Sequence, residues 1–162
     1  MKKGFYYSLI TLLSIALLSF SCSNDDGDSS MDNSLQIAQV QGIAENGTWR
    51  ITNFNDSGQD YTQNFSGYTF TFNTDGTLVA INDTIALDGT WSVTSDSSSD
   101  DDGSDDDDDD IEFNIFFPVP VTNNFEDLND DWDIVSTSAT RIELIDYSDN
   151  SITTDRLIFE KN

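Results

Sequence analysis

The chain has 162 residues, with 31 acidic and 6 basic side chains, a formal charge of −25 and no histidine, yet 12% of it is aromatic. So many aromatics do not suit a disordered acidic chain, and so much negative charge excludes nucleic acid and anionic lipid surfaces as partners, since both repel it. Without histidine, Ser-His and Cys-His catalysis are excluded, and zinc or copper sites lose their commonest ligand.

Met1-Lys2-Lys3 opens the chain with positive charge, an apolar run from Leu9 to Leu18 follows, and small residues lead up to Cys22. This is the layout of a secretory signal. The run is shorter than the roughly 20 apolar residues a membrane span wants. Cys22 is the only cysteine, so an exported form of the chain has no internal disulfide to make. The segment Leu18-Ser19-Phe20-Ser21-Cys22 resembles a lipobox, with Ser19 where leucine is commonest. The resemblance implies cleavage before Cys22 and acyl chains such as palmitate on that cysteine. Two or more chains make a lasting anchor. Ser23-Asn24-Asp25-Asp26-Gly27-Asp28 resembles the start of Bacteroidota-type lipoproteins, where acidic residues after the cysteine favour export to the cell surface. The organisation expected is a signal peptide over 1–21, a lipidated Cys22 with a flexible acidic tether over 22–33, and one domain over 34–162. Loss of 1–21 leaves 4 basic against 31 acidic side chains, a charge of −27.

The domain begins with a short helix expected from Leu35 to Ala44, ended by Asn46-Gly47. Period-2 alternation then dominates, the mark of strands with one apolar face. Trp49 and Ile51 share a phase, as do Tyr68, Phe70 and Phe72. Asn73-Thr74-Asp75-Gly76 carries turn chemistry. Leu78-Val79-Ala80-Ile81 returns, followed by Ile85-Ala86-Leu87, Asp88-Gly89 and Thr90-Trp91-Ser92-Val93. Ile111, Phe113, Ile115 and Phe117 then share a face, and a helical turn is expected around Phe125-Glu126-Asp127-Leu128. Trp132 with Ile134, Ile142 with Leu144, and Leu157 with Phe159 repeat the pattern. About eight short strands with turns between them predict an all-β fold. An eight-stranded up-and-down barrel is the simplest topology and a β-sandwich the alternative.

Between the strands, residues 95–110 hold 10 aspartates. Charge this dense cannot be buried and predicts a solvated loop. Asp105, Asp106, Asp107 and Asp108 are the weak candidates there for loose Ca²⁺ binding, without the spacing of an EF-hand. No other cofactor is expected. Asp83-Thr84-Ile85 resembles the short acceptor for protein O-glycosylation in Bacteroidota, which implies Thr84 as the acceptor.

Gly47-Thr48-Trp49, Phe70-Thr71-Phe72-Asn73-Thr74-Asp75-Gly76-Thr77, Gly89-Thr90-Trp91 and Leu128…Trp132, in that order, resemble the lipocalin-like domains of bacterial lipoproteins. The resemblance implies that Trp49 packs at the closed end of the barrel beneath a basic residue of the last strand. Arg156 is the candidate for that residue, although Leu157 and Phe159 hold the inner phase and turn it outward. A barrel of this size either fills with side chains or holds one small ligand. Trp49, Phe70, Phe72, Trp91, Phe113, Phe117, Trp132 and Phe159 are bulky enough to fill it. The expectation is a lipid-anchored protein of the outer membrane or cell surface, monomeric and not an enzyme, held to the membrane by Cys22. Its first expected role is binding a small apolar or carbohydrate ligand. A structural or interaction protein with a filled barrel is the alternative, and a carboxylate-pair glycoside hydrolase ranks last.

Overall fold

A computed structural model describes residues 29–95, 111–147 and 154–162, with the backbone alone for 29–32. The expected signal peptide, Cys22, the expected tether as far as Asp28 and the aspartates of 96–110 lie outside the described residues. Among the described residues no helix is long and apolar enough to cross a membrane.

The elements are α1 (Ser29–Ala44), β1 (Trp49–Asp56), β2 (Gln59–Asp60), β3 (Thr69–Phe72), β4 (Thr77–Ile81), β5 (Ala86–Ser95), β6 (Ile111–Phe116), β7 (Asp130–Ser138), β8 (Arg141–Tyr147) and β9 (Thr154–Lys161), with 3-10 turns at Thr62–Phe65 and Glu126–Leu128. Each strand from β3 to β9 pairs antiparallel with the next, and β1 pairs with β9 from Trp49↔Lys161 to Asn55↔Arg156. A single rung, Trp49↔Phe70, joins β1 to β3 and closes the ring. The two-residue β2 is an arm folded back onto the end of β1. Without it, eight strands form a closed up-and-down barrel with one helix at its N-terminal side, as the alternation predicts.

Helix α1 starts six residues before Leu35, because its first turns are polar and carry no apolar periodicity. Its stripe of Ile37, Val40 and Ala44 reaches the core, where Val40 and Ala44 are buried. Asn46-Gly47 ends it, with Gly47 at φ +100°. The hairpin between β3 and β4 has the expected chemistry: Gly76 takes φ +82°, its N–H donates to the Asn73 carbonyl at 3.0 Å, and Asp75 Oδ1 accepts from the Thr77 N–H at 2.9 Å.

Two stretches depart from simple alternation. Asp88-Gly89 is not a break: Ala86 to Ser95 runs as one strand, with Gly89 opposite Leu78 in the ladder. A Cβ on Gly89 would stand 2.5 Å from the Phe116 carbonyl oxygen and 2.8 Å from the Phe117 ring. The glycine is there for close approach. In β1 a register shift against β9 falls between Ile51 and Asn53, so the next inward residue is Phe54, which is 1% exposed.

The interior is aromatic. Phe72 meets Trp91, Phe113 and Phe159 edge-on, with ring centroids 5.2–5.4 Å apart. Nearer the loops Phe125 is the hub, with Phe65 at 5.3 Å, Tyr68 at 4.9 Å and Phe117 at 5.0 Å, again edge-on. Such pairs add about 0.5–1.5 kcal/mol beyond the area they bury. All eight bulky residues expected to point inward are buried. Each tryptophan also pins a connection: the indole N–H of Trp49 donates to Ala44 O at 2.8 Å, that of Trp91 to Asn73 O at 3.0 Å, and that of Trp132 to Leu128 O at 3.2 Å. The first of these satisfies a carbonyl that the end of α1 would otherwise leave unpaired.

Candidate functional site

Helix α1 packs against β5, β6 and β7 and closes one end of the barrel with Val40 and Ala44. Phe65, Phe125 and Leu128, all within 3% exposure, come from the 3-10 turns and the β6–β7 loop to close the other. Two depressions among the described residues bear on binding, one beside α1 and one over the outward residues of β5 and β6.

The first, about 650 Å³, runs over the outer side of β7 and β8 beside α1. Gln36 and Gln39 of α1, Val135 of β7 and Ile145 and Tyr147 of β8 line it, together with Val40, Ile111 and Ile134, which belong to or pack against the core. The register of β7 against β8 shifts between Ile134 and Ser136, which leaves Val135 outward and 52% exposed. The β6–β7 ladder stops at Glu112↔Asp133, so beyond that rung β7 faces α1 rather than a strand.

The second, about 600 Å³, lies over β5, β6 and the start of β7. Its outward-phase residues are Thr90 and Ser92 of β5 and Asn114 and Phe116 of β6. Phe116 is 54% exposed, an aromatic ring turned to solvent. Asp130 and Asp131 complete the rim. Asn129 anchors the edge: its Oδ1 accepts from the Phe117 N–H at 2.5 Å and its Nδ2 donates to the Phe117 carbonyl at 3.0 Å. The amide thus stands in for one more ladder rung and holds the rim in place. Asn114 donates through Nδ2 to Thr94 Oγ1 at 2.9 Å.

Burial pushes the Asp130 carboxyl up to about 6, helped by its hydrogen bond to the Asp131 side chain and by the nearby Asp146. Burial also raises Asp146, with Asp155, Asp131 and Asp133 adding repulsion. Asp146 stands directly opposite Asp155 in the β8–β9 ladder, a like-charge pairing that destabilises a sheet. A carboxyl whose pKa is raised by folding stabilises the folded state below its unfolded pKa, and loses that contribution as pH rises through the folded value. The domain is therefore expected to be more stable at pH 4.5 than at pH 7.5. Asp130→Asn should raise stability at pH 7.5 by about 1 kcal/mol, allowing for solvent screening of a half-exposed group, and flatten the profile between pH 4 and 6. Thermal melts of both proteins across that range check this.

Basic side chains gather on the opposite side. Arg141 binds Glu143 at 2.9 Å and Glu160 at 3.3 Å, Arg50 reaches Glu160 at 3.4 Å, and Arg156 pairs with Glu143 on the outer surface of β8 and β9. Arg156 therefore faces outward, as its phase requires. Lys161 takes the place over the Trp49 ring, its ammonium 5.9 Å from the centroid. Lys161 shares the phase of Leu157 and Phe159, and that alternation is the signal that identifies it.

Trp49 is buried at the α1 end. Thr84 lies exposed in the β4–β5 turn, where its N–H and hydroxyl both donate to Asn82 Oδ1, at 3.0 and 3.3 Å. Cys22 and Asp105 to Asp108 are outside the described residues, and among those described no three acidic or cysteine side chains are grouped to hold a metal ion. The residues brought together but not foreseen are those of the second groove. Once Phe113, Ile115 and Phe117 point inward, Phe116 must point out, and an aromatic on the polar phase of β6 is the trace of the groove in the sequence.

No family model and no curated protein matches the chain. Among solved structures, the chain is similar to the crystal structure of a DUF4847 family protein from Bacteroides vulgatus, at 19% identity and a TM-score of 0.48, over 76% of this chain and 97% of that one.

Proposed function

We propose that this protein is a lipid-anchored lipoprotein of the cell envelope whose barrel is a rigid scaffold and whose binding is done on its outer wall. The observation that carries this reading is the filled interior. The inward aromatics pack edge-on against one another, Val40 and Ala44 are buried at one end and Phe65, Phe125 and Leu128 at the other, and the groove over β5 and β6 carries outward residues. Eight strands enclose only enough room for side chains or one small ligand, and the buried aromatics favour side chains. Recognition would then be shallow and non-catalytic. The absence of histidine and the use of the only cysteine for lipid leave no ready nucleophile–base pair.

The anchor rests on the lipobox-like Leu18–Cys22 segment and the acidic tether behind it. Cys22→Ser is expected to abolish incorporation of labelled palmitate and move the protein from the membrane fraction to the soluble fraction. Retention of Cys22→Ser in washed membranes would overturn the anchor. The outer-wall reading is tested separately with an apolar fluorescent fatty acid: no saturable one-to-one binding is expected, and a saturable interior site would overturn it.

A further inference from the structure

We infer that the groove over β5, β6 and β7 is a binding site for a neutral carbohydrate, with the Phe116 ring as the platform on which a sugar ring stacks. The inference rests on the outer-wall reading and names the ligand class for one of its grooves. At about 600 Å³ the groove is within the range of small-molecule sites, roughly 300–1,000 Å³. A half-exposed phenylalanine in an outward strand position gives up apolar burial. Elsewhere on β6 the large apolar residues Phe113 and Ile115 are buried, while the other outward side chains, Glu112 and Asn114, are polar.

The polar groups around the ring select the ligand. Thr90 and Ser92 bring hydroxyls that both donate and accept, and Asn114 brings an amide that does both. Asp131, opposite Asn114 in the outward phase, accepts. A cation needs acceptors only, so it would leave the donors idle. A ligand with many hydroxyls uses both kinds at each oxygen and sets its C–H face on the aromatic ring. An anionic ligand is excluded by the charge of the chain, −25 in total, and by the Asp131 carboxyl at the rim. A neutral sugar satisfies all three conditions.

The test is saturation-transfer difference NMR on the full mature protein, with maltose, cellobiose and N,N′-diacetylchitobiose as probes and galacturonic acid as the charged control. At least one disaccharide is expected to receive saturation through its ring protons, and galacturonic acid none. Phe116→Ala should weaken binding about fivefold or more and Thr90→Val should weaken it less. Arg50→Ala, on the outer surface of β1, should leave it unchanged. Phe116 is exposed, so its variant should melt within a degree or two of the parent. The inference is overturned if none of the three disaccharides shows transfer, or if Phe116→Ala leaves the transfer intact. Binding of tetramethylammonium at Phe116 in place of the sugars would also overturn the carbohydrate assignment, while the outer-wall reading would stand. That reading fails only on a ligand found inside the barrel.

Discussion

Trp49→Ala is expected to cost about 3–5 kcal/mol, the range for deleting a fully buried aromatic side chain. Trp49 is completely buried at the start of β1. It lies at the only rung between β1 and β3 and at the last rung between β1 and β9. Its indole N–H also ties the end of α1 to the barrel through the Ala44 carbonyl. One side chain therefore joins the closure of the sheet, the helix that closes one end, and Lys161 above the ring. A domain is typically stable by about 5–15 kcal/mol, so the loss takes much of the total. Two milder changes separate the contributions. Lys161→Met removes only the cation–π contact, about 0.5–1 kcal/mol. Trp49→Phe keeps most of the apolar burial but leaves the Ala44 carbonyl without its donor, about 1–3 kcal/mol. Urea unfolding followed by near-ultraviolet circular dichroism ranks the three.

Gly89→Ala is expected to be nearly as damaging, although it adds a single methyl group. The new Cβ would meet a backbone oxygen at 2.5 Å and the Phe117 ring at 2.8 Å. The oxygen belongs to Phe116 in the neighbouring strand, so relief requires the strands to part. Forcing extra atoms into a close-packed site costs about 1–3 kcal/mol, here near the top of that range because the contact is backbone. The melting temperature should fall by roughly 10 °C. Gly76→Ala is the control. Its nearest neighbour is the Trp91 carbonyl at 3.5 Å, and its cost comes from the positive φ alone, about 1–2 kcal/mol. If Gly89→Ala melts with the parent protein, β5 and β6 are not packed as described.

Much of this fold is legible in the sequence because one physical rule produces it. A strand with a buried face must alternate, and Phe70, Phe72, Phe113, Phe117 and Phe159 do so without interruption. Legibility ends where the backbone departs from period two. Phe54 falls out of phase because the register of β1 shifts after Ile51. Phe65 and Phe125 sit in or beside 3-10 turns, where no strand phase applies, so their place at the end of the core emerges only in three dimensions. Gly89 has the chemistry of a turn but serves as a point of close approach, and nothing local separates the two roles. Nor could residues far apart in sequence be joined into the second groove, because Thr90 and Asp130 become neighbours only through the pairing of β5 with β6 and of β6 with β7. Phe116 alone left a sign, as an aromatic residue on a polar phase.

A barrel filled by its own side chains leaves binding to its outer surface. Native mass spectrometry of the protein isolated from the cells that make it decides between an interior and an exterior ligand. The expected mass is that of the polypeptide from Cys22 with its covalent additions, with no apolar molecule retained at one-to-one stoichiometry. Retention of such a molecule, released only when the protein is unfolded, would place the ligand in the interior and rule out a filled barrel.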